Sequence, residues 1–345
     1  MKRVFYTHSP ITTRLCLGVI EHERTAKADI IWLTARNEKA PDIGRAYCIE
    51  DYKSDLPEKG VNFLRCRMGL KKWRCQFERL VDGQNYISYI PQTSQFLFQL
   101  ITTHPKCSGY YIVEEGTAAY HGTKRKGELA ISGVASWKSI LSRIYHFLNY
   151  GGAFRKNRSV QDFSNVMYRG CFSWNQHAFN GFKNKQLLDC PFIESREYPD
   201  IEALVVLDAV VEAGLVQEAW MREALCSVFK LIEKRNIGQV AVKFHPETTR
   251  LAGNAFPLWW TEALSDSNAS FKITMLSRDF VVEDLAMREG LSVFVNLSSV
   301  GLYASLLGRE VVSIAKLIAA HSQEYAYCLD RRPKVWKKKI NYLSV

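Results

Sequence analysis

No two cysteines of this chain stand at Cys-x-x-Cys spacing. The nine are scattered at 16, 48, 66, 75, 107, 171, 190, 226 and 328, with no histidine pair at zinc spacing nearby. An odd, dispersed set in 345 residues reads as reduced thiols, so neither disulfides nor a structural zinc is expected. No run reaches the roughly 18 apolar residues that suggest a membrane-spanning helix. The start, MKRVFYTHSPITTRL, is basic but is followed by no apolar run of signal length, so a cytoplasmic protein is expected. There is no glycine-rich Walker loop, which excludes a P-loop. There is also no short-period internal repeat and no recognised nucleic-acid-binding motif.

Apolar residues make up 47% of the chain and charged residues 23%, the balance of a folded, soluble protein. Its length suits two domains of ordinary size. Lys and Arg number 46 against 35 Asp and Glu, a formal charge of +11. That sign suits a polyanionic partner: nucleic acid, an anionic membrane surface, or a phosphorylated or acidic glycan.

Apolar runs and helical patterns alternate along the chain. Val4 to Tyr6 reads as a strand, followed by a helix from about Thr12 to Glu21 capped by Ser9 or Thr12. Ile30 to Leu33 is a second strand, and Cys66 to Leu80 an amphipathic helix with a basic face. Tyr86 to Ile90, closed by Pro91, is a strand. Thr93 to Ile101 is a helix capped by Thr93 or Ser94, and Tyr110 to Val113 is a strand. From Lys124 to Lys185 the rhythm changes to a stretch rich in basic and aromatic residues, with an amphipathic helix over Ser136 to Tyr150. This stretch is either a solvated basic face or a surface for an anionic acceptor or a membrane. Asp189 to Asp200, with Pro191 and Pro199, reads as an interdomain linker.

A second alternating series follows, with strands at Ala203 to Leu207, Gln239 to Phe244, Phe271 to Leu276, Leu291 to Val295 and Glu310 to Ile314. Its helices are placed at Leu215 to Lys234, Val281 to Arg288 and Ser299 to Leu307. Strand–helix alternation of this kind predicts parallel sheets covered by helices. The expected fold is α/β with GT-B architecture: two Rossmann-like domains whose parallel sheets face each other across a cleft. The expected boundaries are 1–190 for an acceptor-binding domain and 191–328 for a donor-binding domain. A basic C-terminal tail, 329–345, is expected to follow.

Three short motifs sit at the carboxyl ends of predicted strands, where ligands bind in such sheets. They are Glu114-Glu115-Gly116, Lys243-Phe244-His245-Pro246 and Asn296-Leu297-Ser298-Ser299. Taken singly, two glutamates before a glycine usually mark a solvated turn, and two serines before a helical run are usually a cap. His104-Pro105 is expected at a helix end without a catalytic role. Together, the three motifs permit a definite chemistry. Ser298 and Ser299 at a helix N-terminus offer hydroxyl and N–H donors beside the positive end of the helix dipole, which suits a phosphate. His245 adds a hydrogen bond or a proton there, and Lys243 a charge or a donor. A glutamate of the first domain supplies a base.

In this order along the chain the motifs resemble the D/E-D/E-G, HP and S/T-S/T motifs of bacterial sialyltransferases and polysialyltransferases. The resemblance spans both halves and implies an inverting, metal-independent transfer of sialic acid or a related acidic sugar, nonulosonic acid or Kdo, from a CMP donor. It implies that Glu115 is the general base, with Glu114 as the alternative, and that His245 with its Pro246 contacts the donor phosphate and protonates departing CMP. Ser298 and Ser299 would hold that phosphate. Lys243 looks like the cytosine-side residue and Glu283 like the ribose-binding acid, with Asp284 and Asp279 as alternatives. No cofactor or metal is implied, the CMP-sugar being a substrate. The expected acceptor is a surface glycan or lipid-linked glycan, with peripheral contact to an anionic membrane at its inner face. Two other readings compete: a CDP-glycerol-type polyol-phosphate transferase, and a nucleic-acid-binding protein driven by the positive charge.

Overall fold

A computed structural model of the chain describes residues 1–35, 38–49, 63–121, 137–153, 161, 163–193, 195, 197–198, 200, 201–245, 247–248, 255–277 and 280–343. The chain divides into two compact units, Met1–Pro191 and Phe192–Val345.

In the first unit the elements run β1 (Lys2–Thr7), α1 (Pro10–His22), β2 (Ile30–Thr34), β3 (Arg45–Cys48), α2 (Phe63–Leu80), β4 (Tyr86–Ile90), α3 (Phe96–Thr102), β5 (Cys107–Val113), α4 (Trp137–Tyr150), β6 (Tyr168–Ser173) and β7 (Lys185–Leu187). The seven strands pair in the order β3-β2-β1-β4-β5-β6-β7, every pairing parallel. The run Ile30–Thr34 is buried along its whole length, as a parallel strand covered on both faces must be. Beneath α1, Phe5 stacks on Tyr89 and Tyr89 on Tyr111, with ring centroids 4.4 and 5.3 Å apart.

The second unit runs β8 (Ala203–Leu207), α5 (Glu218–Lys234), β9 (Gln239–Phe244), α6 (Leu258–Ser267), β10 (Lys272–Met275), α7 (Val282–Ala286), β11 (Ser292–Val295), α8 (Ser299–Leu306), β12 (Val311–Ser313), α9 (Ala315–Ala319), α10 (Gln323–Asp330), α11 (Lys334–Lys339) and β13 (Asn341–Tyr342). Its sheet order is β10-β9-β8-β11-β12-β13, again all parallel. Counted from the first strand of each unit, both sheets follow the order 3-2-1-4-5-6 of doubly wound nucleotide-binding folds, and the first adds a seventh strand. The α/β fold with two parallel sheets is therefore present. In each unit the connections reverse direction between the first and fourth strands, and a crevice opens at the carboxyl ends of those two strands.

Several elements differ from expectation. Residues 329–345, expected as a basic tail, belong to the second unit: α10 and α11 pack there, and β13 extends the sheet through Val312↔Asn341 and Ser313↔Tyr342. The cause is the spacing of Trp336 and Ile340, four apart and both buried, which turns the lysines of α11 outward. Helix α3 begins at Phe96 rather than Thr93, because Ser94 turns its hydroxyl to Gln92 (2.8 Å) and leaves Gln95 at the cap. The basic, aromatic stretch contains β6 and ends where β7 begins, short strands that its charge conceals. Lys124, Arg125, Lys126, Arg155, Lys156 and Arg158 lie outside the described residues.

Candidate functional site

In the first unit, β1 ends at Thr7 and hands the chain to Ser9, which caps α1. The Ser9 hydroxyl accepts from the Thr12 N–H (3.4 Å), and the Thr12 hydroxyl accepts from the N–H groups of His8 (3.3 Å) and Ser9 (3.2 Å). These bonds fix His8 at the strand end, with its side chain 8% exposed. Its Nε2 pairs with the carboxylate of Glu115, which arrives from the end of β5. The His8 Nδ1 and the Thr7 hydroxyl are buried without a hydrogen-bond partner among the described residues.

The two glutamates part company because successive residues of a strand point to opposite faces. Glu114 continues the ladder, its N–H reaching the Phe172 carbonyl (3.0 Å), and its side chain is fully buried. There it accepts from the Tyr120 hydroxyl (2.6 Å) and the Trp174 N–H (3.2 Å). Burial pushes its carboxyl up to about 8, against the pull of those donors. Glu115 lies at the surface with 30% of its side chain exposed, on His8. Gly116, at φ +52°, makes the turn into the 3-10 segment Gly116–Tyr120, a backbone shape that a side chain would strain.

In the second unit the crevice between β8 and β11 is flanked by Asp208 and by Asn296-Leu297-Ser298. The Asp208 N–H donates to Asn296 Oδ1 (3.1 Å), and the Ser313 hydroxyl holds the Asn296 carbonyl (2.6 Å). The Leu297 N–H and the Ser298 hydroxyl lie near the Asp208 carboxylate and favour its charged form. Burial raises its pKa, while the charges of Arg332 and His245 and those two donors pull it back. Burial likewise depresses the Arg332 guanidinium, offset first by Asp208 and then by Tyr325. His245, exposed after β9, is fixed by its N–H on the Leu207 carbonyl (3.0 Å) and by the Glu247 N–H on its Nδ1 (3.2 Å).

Ser298 occupies the cap position of α8 but makes no side-chain bond to the helix. Gly301 lets α8 sit close on the sheet: a Cβ there would lie 2.8 Å from Val295 Cγ2. Of the expected residues, Glu115 ends on His8 in the first unit, while in the second His245 follows β9 and Ser298 follows β11, the two strands that flank β8, with Ser299 opening α8. Lys243 sends its ammonium to the carbonyls of Ser277 and Phe280 (3.3 Å), so it ties β9 to the loop after β10. Glu283 is half-buried in the first turn of α7. Asp284 is buried and accepts from the Ile193 N–H (3.0 Å), which gives it the work of anchoring the chain entering this unit. Pro246 and Asp279 lie outside the described residues.

Sequence reasoning missed His8, Asp208 and Arg332. Asp208 ends the buried run Ala203–Leu207, so the rule that picked out His245 at the end of β9 applies to it equally. His8 follows the first strand in the same way. Among the described residues no group of three or more His, Cys, Asp and Glu is arranged to hold a metal ion.

No protein-family model matches the chain, and no curated protein sequence matches it. Solved structures similar to it include the S. aureus MnaA–UDP structure, with 11% identity and a TM-score of 0.48, covering 91% of this chain and 79% of that one. The UDP-GlcNAc 2-epimerase of Methanocaldococcus jannaschii in complex with UDP-GlcNAc and UDP is similar at 9% identity and a TM-score of 0.46. That match covers 100% of this chain and 89% of the epimerase. The E. coli ADP-heptose LPS heptosyltransferase II is similar at 14% identity and a TM-score of 0.39, with 91% and 84% covered. The fold class stands on the two parallel sheets themselves.

Proposed function

We propose that the chain is an inverting glycosyltransferase that moves sialic acid or a related acidic sugar, a nonulosonic acid or Kdo, from a CMP donor to a hydroxyl of a glycan. The observation that carries this reading is that Asp208, His245 and Asn296-Leu297-Ser298 follow the adjoining strands β8, β9 and β11 at the switch point of a Rossmann-ordered sheet, with the His245 N–H on the Leu207 carbonyl (3.0 Å) and the Asp208 N–H on Asn296 Oδ1 (3.1 Å). A nucleotide phosphate placed there meets the N-terminus of α8, the Ser298 and Ser299 hydroxyls and the His245 imidazole.

In this reading Glu115 takes the proton of the acceptor hydroxyl, and the oxygen attacks the anomeric carbon. The bond from that carbon to the phosphate oxygen breaks, its electron pair leaves with CMP, and His245 Nε2 supplies a proton to the leaving phosphate. One displacement inverts the anomeric centre. Glu115 suits the base because its carboxylate is partly exposed and held by His8, whereas Glu114 is sealed in and driven toward its protonated form. Protonation and hydrogen-bond donors stabilise the leaving group, so activity is expected to persist in EDTA.

Incubation with CMP-sialic acid, CMP-Kdo and CDP-glycerol, with release of CMP followed, tests the donor class. Turnover of a CMP-sugar that Glu115→Gln abolishes while CMP still binds is the expected result. Turnover of CDP-glycerol alone would replace the reading with polyol-phosphate transfer.

A further inference from the structure

Helix α4 lies with an apolar stripe turned to solvent. Leu141, Ile144 and Leu148 recur at i, i+3 and i+7 with Phe147 beside them, and Leu64 and Met68 of α2 are exposed as well. Their exposures run from 49% at Ile144 to 70% at Met68. The opposite side of α2 is satisfied. Cys66, Leu70, Trp73 and Phe77 of α2 enter the core, and the Cys66 thiol meets the buried Tyr150 hydroxyl of α4 at 3.6 Å.

Next to the stripe is a cavity of about 460 Å³ lined by Arg67, Lys71, Arg74, Lys106 and Glu78 around Leu70. Arg67 joins the two features, because its Nε donates to the Leu148 carbonyl at the end of α4 (3.0 Å). Glu78, the one acid among the described residues of this lining, is paired with Lys106 at 3.7 Å. His104, which also lines the cavity, has both ring nitrogens engaged, Nδ1 with the Lys106 N–H (3.1 Å) and Nε2 with the Arg74 carbonyl (3.3 Å). Three cations therefore share one wall, and the Arg74 guanidinium is pushed down by burial and then by the Arg67 charge beside it.

We propose that this face of α2 and α4 docks the first unit on an anionic lipid surface, with a lipid phosphate entering the cavity between Arg67, Lys71 and Arg74. Charge chooses the occupant. A symmetric contact with a second copy would bring the same three cations face to face, whereas anionic headgroups neutralise them while the acyl boundary takes the exposed leucines and phenylalanine. The inference does not depend on the transfer reaction, since binding is measured without turnover.

The test is co-sedimentation with vesicles of phosphatidylcholine alone and of phosphatidylcholine with phosphatidylglycerol in equal parts. The wild-type protein is expected to sediment with the anionic vesicles and to remain in solution with the neutral ones. Lys71→Ala and Arg74→Ala are each expected to weaken binding about fivefold. Leu141→Ser with Phe147→Ser is expected to abolish binding without changing the circular dichroism spectrum, these side chains being exposed. Binding to neither vesicle, equal binding to both, or full binding by the double variant overturns the proposal. A concentration-dependent dimer that the double variant dissociates, seen by sedimentation velocity without vesicle binding, also overturns it and makes the face a contact between copies.

Discussion

Glu114 should make the stability of the first unit fall as pH rises from acid to neutral. Its carboxyl is pushed up to about 8 in the folded protein by burial, against an ordinary value of 4.5. Below the ordinary value both states hold the proton, and the group contributes no pH dependence. Between the two values the folded state keeps a proton that the unfolded chain has released, so raising the pH favours unfolding. Each unit of pH in that window costs about 1.4 kcal/mol, so the loss between the ordinary value and pH 7 is about 3 kcal/mol. Glu114→Gln removes the titrating proton while keeping an oxygen for the Tyr120 hydroxyl. Urea unfolding of the wild type and the variant, compared at pH 5 and pH 7.5, cancels every other titration common to both. The wild type should lose stability relative to the variant across this range, on the transition that belongs to the first unit. Parallel pH profiles for the two proteins would refute the buried, proton-holding state. They would also reopen Glu114 as a candidate base.

His8→Phe removes the donor to Glu115 and is expected to lower turnover about 10- to 100-fold, with His8→Gln, which keeps an N–H at that reach, recovering most of it; equal loss in both variants would leave His8 only a packing role. His245→Ala is expected to reduce turnover about 10²- to 10⁴-fold, and unchanged kinetics would remove it from the mechanism. Gly301→Ala places a methyl group 2.8 Å from Val295 and is expected to destabilise the second unit by about 1–3 kcal/mol, read as a lower unfolding midpoint. An unshifted midpoint would show that α8 can move away from the sheet without loss.

Local pattern made most of the strands and helices legible. Buried parallel strands are short continuous apolar runs, and Ile30–Thr34, Ala203–Leu207 and Gln239–Phe244 stand out from their surroundings for that reason. Elements whose burial depends on distant partners were hidden. Tyr168–Ser173 and Lys185–Leu187 carry arginine, lysine and polar residues, and they are strands because β5 and then β6 offer an edge. Asn341–Tyr342 is too short to show any period and exists through β12.

The sequence by itself determined the fold class, through strand–helix alternation, and placed Glu115, His245 and Ser298 at the ends of strands. Only the tertiary structure decided which of those ends adjoin. The pairing of His8 with Glu115 needs β1 and β5 in one sheet with β4 between them, and Asp208 meets Asn296, 88 positions away, because β8 lies against β11. Strand order is a property of long-range packing, and local periodicity carries no record of it. The same holds for the two glutamates: adjacent in sequence, they differ because β6 and Trp174 close over one of them and leave the other to His8.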